Sequence, residues 1–187
     1  MTPAAASPTA LRTAAELLRR YHDASVGYDG GDLSGPMLPA RSPAEVVCHG
    51  DYAPHNCVLD GERVVGIIDF DTAHPAPRVW DVAYAVYRWA PITAPSNSDG
   101  FGTPRQQAER ARRFCDHYGL EEVDRGRLMD TIVARLTALV DHMQARAEAG
   151  DAAFAGHLAA GHHLLYLNDA AYIRDNKAAF DRIVLSP

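Results

Sequence analysis

The chain has 187 residues, 47% of them hydrophobic and 22% charged, with a formal net charge of −6. That length and apolar content support one sizeable core and exclude a low-complexity or disordered chain. The acidic balance argues against nonspecific binding to nucleic acid, which needs a basic surface, and no run of 18 apolar residues is present to span a membrane. The three cysteines, Cys48, Cys57 and Cys115, form no framework spacing, which predicts reduced thiols and a cytoplasmic setting. The N-terminus lacks a basic segment followed by an apolar one and is not read as a secretory signal.

Residues 1–8 are small residues and proline, and a disordered N-terminus is expected there. Thr9 is placed to cap a helix running to about Ala24, with Leu11, Ala14, Ala15, Leu18 and Tyr21 at helical spacing. Residues 25–43 read as a long loop. Its Gly30-Gly31 pair lacks the preceding strand and the neighbouring lysine of a phosphate-binding loop, so it reads as a connector. Three short strands are predicted: Val46-Val47-Cys48, Cys57-Val58-Leu59 and residues 64–68. Asp60-Gly61 makes the last two a hairpin, because glycine accepts the positive φ of such turns. A proline-rich stretch from His74 to Arg78 follows, then a helix from about Val79 to Arg88 and a second loop from Pro91 to Pro104. Helices are expected over about 105–118, 122–149 and 152–176, with a break at Gly150-Asp151. These elements define an α+β class, mostly α.

The chemistry is concentrated in VVCHGDYAPHNCVLDGERVVGIIDFD. Asp51, Asn56 five residues later and Asp69 eighteen after Asp51 supply carboxylate and amide oxygens. Mg²⁺ prefers such ligands together with phosphates and water. The hairpin between Asn56 and Asp69 lets the chain leave this site and return to it. The order H-G-D-x-x-x-x-N followed by I-D-F-D resembles the aminoglycoside phosphotransferase/choline kinase-like family, a branch of the protein-kinase-like fold, where protein kinases carry H-R-D-x-x-x-x-N and D-F-G. The resemblance implies that Asp51 accepts or orients the proton of the attacking hydroxyl. It implies that Asn56 and Asp69 bind Mg²⁺ and that ATP or GTP is the phosphate donor. His49 would brace the loop, and Asp81, near the start of the Val79 helix, would hydrogen-bond back to it. Asp71 replaces the glycine of D-F-G and either touches a second metal or stabilises the loop. His55 either contacts substrate or phosphate or is an exposed loop residue.

The same resemblance, covering roughly residues 9–187, is to the C-terminal lobe alone. A β-rich N-terminal lobe would carry a glycine-rich flap and a strand lysine that holds the nucleotide phosphates. The chain has a single lysine, Lys177, in a helical context near the C-terminus. The expectation is an ATP-dependent O-phosphotransferase of a small hydroxyl compound, such as an aminoglycoside or amino alcohol, with weak or no activity by itself. The chain would be a fragment of a full kinase, a natural single-lobe relative, or a lobe completed by another polypeptide. The alternative is a catalytically inactive binding or regulatory module. In either case the surface normally covered by the missing lobe would favour a partner or self-association. Trp80, Tyr84 and Trp89 read as core. His157, His162 and His163 lack the spacing of a zinc site. Asp141, Glu148, Asp169, Asp175 and Asp181 are available to a cationic substrate, and none is assigned to the site.

Overall fold

The computed structural model describes residues 1–28, 38–100 and 102–186. The Gly30-Gly31 pair lies outside the described residues. Helix α1 spans Pro3–Ala6 and α2 spans Pro8–Ala24. The terminus expected to be disordered is instead a capped turn: Thr2 accepts the Ala5 N–H, Ala5 is buried, and Arg110 donates to the Ala5 and Ala6 carbonyls. The cap of α2 is Ser7 rather than Thr9, because Pro8 takes the first helical position and the Ser7 hydroxyl reaches the Ala10 N–H. The Thr13 hydroxyl on α2 accepts the Val64 N–H at 2.9 Å, and the Ala14 carbonyl accepts the Tyr52 hydroxyl at 2.9 Å. Alanine at 14 and 15 permits this close approach.

Strand β1 (Val46–Cys48) enters the motif, and β2 (Cys57–Asp60) and β3 (Arg63–Ile67) form the expected hairpin. Gly61 at its tip has φ +57°. A fourth strand, β4 (His74–Ala76), stands where the sequence suggested only a proline-rich stretch; it pairs antiparallel with β1, Val46 opposite Ala76 and Cys48 opposite His74. Proline is tolerated because the sheet has two strands and the missing N–H falls on an open edge. The free Pro75 carbonyl accepts the Arg41 N–H at 2.9 Å.

Helix α3 (Arg78–Trp89) is buried on nearly every face, which a helix achieves only at the centre of a helical domain. It packs against α4 (Pro104–Tyr118) and α6 (Leu128–Glu148), and α5 (Glu122–Gly126), α7 (Ala152–Ala159) and α8 (His162–Val184) pack in turn on α6. The helix expected over 122–149 is broken at Arg127, whose N–H returns to the Asp124 carbonyl in a tighter turn. The helix expected from Ala152 is broken at Gly161, φ +78°, and its second part continues to Val184. The break at Gly150-Asp151 is present, with Asp151 capping α7. Asp169 on α8 is fully buried and accepts hydrogen bonds from Tyr87, the Ala94 N–H and Asn97, so it ties α8 to α3 and the following loop. The fold is α+β and mostly α. Among the described residues no helix is long and apolar enough to cross a membrane.

Candidate active site

Strand β1 delivers the chain to His49, Gly50 and Asp51, and the first turn of α3 holds them. Asp81 is fully buried; its Oδ2 accepts the His49 N–H at 2.7 Å and its Oδ1 accepts the Gly50 N–H at 2.9 Å. His22 Nε2 lies 3.0 Å from Asp81 Oδ2, and the Tyr118 hydroxyl lies 2.6 Å from His22 Nδ1. Burial alone would raise the Asp81 carboxyl, but its bonds with His22 and the two backbone donors outweigh that and bring it down to about 2. His49 is buried. Its Nε2 donates to the Ile68 carbonyl at 2.9 Å and its Nδ1 accepts the Asp51 N–H at 3.2 Å, so one ring joins the loop to the end of β3. Gly50 has φ +84°, and a Cβ there would collide with the Thr72 carbonyl. The Thr72 hydroxyl donates to the His49 carbonyl at 2.9 Å, and Arg135 donates to the Gly50 carbonyl.

The next turn carries Asn56. Its Nδ2 donates to the Asp51 carbonyl at 2.9 Å and to Asp51 Oδ2 at 2.8 Å. This leaves the Asn56 amide oxygen without a donor among the described residues. The Asn56 carbonyl accepts the Ile68 N–H at 3.0 Å, which sets the end of β3 beside Asn56. Asp69 follows directly, exposed and with φ +65°, a left-handed conformation that costs a non-glycine residue roughly 1–2 kcal/mol. The hairpin thus returns Asp69 to the neighbourhood of Asn56 in a strained turn that presents its carboxylate to solvent. Asp71 is also exposed and is not joined to Asp51 or Asn56.

His55 Nε2 lies 3.7 Å from Asp51 Oδ2. Burial raises the Asp51 carboxyl, but the neighbouring His55 and Tyr84 and the hydrogen bond from Asn56 overcome it and hold Asp51 below the ordinary carboxylate range. Beside His55 opens a cavity of about 610 Å³, lined also by Pro54, Leu59, Tyr87, Arg88 and Asp99. Arg88 and Asp99 form an ion pair of 3.4 Å in it. Sequence reasoning did not single out Thr72 or Arg135, and it read Tyr84 only as core. Tyr84 was the most accessible of the three: it lies three residues after Asp81, on the same face of α3. Arg135 lies 85 residues beyond Gly50 and carried no signal.

Among the described residues, His22, Cys48 and Asp81 are the group whose potential metal-ligand atoms lie close together, all within 4.8 Å. Their chemistry is structural. Both Asp81 oxygens are occupied by protein donors. Cys48 directs its thiol to the Pro77 carbonyl at 3.6 Å, and burial pushes that thiol well above its ordinary value. Asp51, the buried Asn56 and the exposed Asp69 carry only oxygen as potential ligand atoms, the donor type that suits a hard divalent cation.

The model of the phosphotransferase enzyme family matches residues 32–129, just over half of the chain. An aminoglycoside 3'-phosphotransferase of Niallia circulans is 32% identical over 95 residues, 50% of this chain and 32% of that protein. One from Streptomyces fradiae is 35% identical over 106 residues, 54% of this chain and 36% of that protein. A trifolitoxin immunity protein of Rhizobium leguminosarum bv. trifolii is 28% identical over 125 residues, 63% and 47% respectively. The chain therefore spans between about a third and a half of the length of these relatives. No solved structure matches it. The H-G-D turn, the asparagine bonded to it and the returning aspartate all lie inside the matched segment, and the chain belongs to the phosphotransferase enzyme family.

Proposed function

We propose that these residues form the C-terminal lobe of an ATP- or GTP-dependent O-phosphotransferase acting on a small hydroxyl-bearing compound, such as an aminoglycoside or amino alcohol. One observation carries the reading. Asn56 is locked to Asp51 at 2.8 Å by its amide nitrogen, while its amide oxygen stays free and a strained turn sets the exposed Asp69 beside it. A residue held in a costly backbone conformation with its carboxylate in solvent is better explained by a ligand than by stability. Asn56 Oδ1 and Asp69 would hold Mg²⁺, which when bound neutralises the phosphates of the nucleotide. Asp51, kept ionised by His55, Tyr84 and Asn56, would accept the proton of the acceptor hydroxyl. The cavity beside His55 is the natural seat for that acceptor.

The lone lysine supports low activity for these 187 residues by themselves. Lys177 on α8 is committed to Asp181 at 2.6 Å and Asp130 at 3.4 Å, so it is not free to hold phosphates. The outer face of the hairpin is apolar as well. Val58, Val65, Ile68 and Phe70 are 44–53% exposed around Asp69, a surface suited to a second lobe, a partner polypeptide or another copy.

Mn²⁺ with ATP tests the ligand assignment. The amide signals of Asp51, Asn56 and Asp69 should broaden first, and Asp69→Asn should abolish this. Broadening that spreads over the acidic helices and survives Asp69→Asn would sink the assignment. Aminoglycoside phosphorylation by the purified chain should be weak or absent. Robust Mg²⁺-dependent turnover, lost in Asp51→Asn, would uphold the chemistry and overturn the need for a second lobe. The similarity to a trifolitoxin immunity protein favours one further reading, a binding or regulatory module without turnover. It predicts ligand retention with no phosphate released or transferred even when an N-terminal lobe is supplied.

A further inference from the structure

Arg135 on α6 is only 4% exposed. One of its terminal nitrogens donates to the Gly50 carbonyl, while its Nε is buried with no hydrogen-bond partner. Its guanidinium carbon lies 4.8 Å from the centre of the Tyr84 ring and 5.6 Å from the Trp80 ring. The Arg41 guanidinium carbon lies 3.7 Å from the same Trp80 ring. Neither arginine has a carboxylate partner among the described residues. A cavity of about 310 Å³ opens between them, lined by Arg41, His74, Trp80, Arg135, Asp141 and His142. Asp141, the one acid lining it among the described residues, is exposed and pairs with neither arginine. His142 Nε2 is a second buried atom there without a partner.

Two guanidiniums gathered on one indole with no counter-charge paired to them among the described residues are costly, because each has lost solvent and each repels the other. Burial, and then the charge of Arg135, lower the Arg41 pKa. Burial also lowers His74 and His142, with Arg135 contributing to both, so the histidines add little positive charge at neutral pH. The site presents forked donors, an aromatic wall and a double positive charge with no ion-pair partner among the described residues.

We propose that this cavity binds a small phosphate-bearing anion between the Arg41 and Arg135 guanidiniums, with its carbon portion against Trp80. A phosphate dianion cancels both charges and offers enough oxygens for two guanidinium forks, whereas a single carboxylate cancels one. The site is separate from Asp51, Asn56 and Asp69 and does not depend on the phosphotransferase reading. Arg135 links the two, because the same side chain holds the Gly50 carbonyl. An anion that fixes Arg135 therefore steadies the H-G-D turn, and Arg135 acts as a positioning residue.

Titration with inorganic phosphate at constant ionic strength, read by tryptophan emission and by melting temperature, tests this. Emission should change saturably and the melting temperature should rise. Arg135 is buried and its loss endangers folding, so Arg41→Gln at the half-buried rim is the deciding variant. It should raise the half-saturating phosphate concentration roughly ten-fold or more, the effect of losing a charge-assisted contact. Arg105→Gln, at a side chain 81% exposed on α4, should leave it unchanged. Equal response to acetate, equal half-saturation in the two variants, or no saturable response would overturn the proposal.

Discussion

The turn at His49-Gly50-Asp51 and the turn at Ile68–Asp71 pack side by side, joined by the bond from His49 Nε2 to the Ile68 carbonyl. In the first, Asp81, Thr72 and Arg135 satisfy the backbone groups, His22 braces Asp81, and His49 is fully buried. In the second, all four side chains are exposed, one residue is strained, and Phe70 is covered only in part, by the His49 ring at 4.9 Å and Tyr21 at 5.7 Å. Two aspartates of one motif system thus serve opposite ends. Asp81 spends its charge on holding the fold, whereas Asp69 has no ion-pair partner among the described residues and sits in a costly backbone conformation. A rigid turn facing an unsatisfied one is what a ligand site built on a stable scaffold requires.

Replacing Asp81 should break this contrast most severely. Asp81→Ala strands the His49 and Gly50 N–H groups and His22 in the interior, and urea unfolding should show a loss of about 3–5 kcal/mol. Lowering pH attacks the same group more gently. The Asp81 carboxyl is depressed in the folded state, so its contribution is complete above its ordinary value near 4 and is lost as pH falls towards about 2. Melts across that window should show about 2–3 kcal/mol disappearing on account of Asp81, and the loss should be smaller by that share in Asp81→Asn. Thr72→Val removes one bond to the His49 carbonyl and should cost about 1 kcal/mol, measured in the same way. The smallest effect has the opposite sign. Asp69→Gly relieves the left-handed strain and should stabilise the chain by about 0.5–1 kcal/mol while abolishing Mn²⁺ broadening, a trade of function for stability. If Asp69→Gly instead destabilises the protein, Asp69 belongs to the scaffold and the contrast between the two turns fails.

Local signals were legible where one segment decides its own shape. The hairpin could be read because glycine follows Asp60, and α3 because its apolar residues recur at helical spacing; its central burial shows in their near-continuity. The tether from Asp81 to the catalytic-type loop was legible through the family resemblance, and the geometry shows which oxygen accepts which N–H. Strand β4 escaped because prolines mask strand propensity and its partner lies far away in the sequence. The N-terminal turn escaped because its stability comes from Arg110, about a hundred residues later. The breaks at Arg127 and Gly161 escaped because continuous helical periodicity on either side conceals a local change of direction.

The sequence by itself determined the family and the α+β class, because motif spacing and turn chemistry are short-range properties. Only the tertiary structure decided that Asp81 is saturated while Asp69 is strained and open. It alone brought Arg41 and Arg135 to one indole, since burial and charge proximity arise between segments whose separation along the chain leaves no periodic trace.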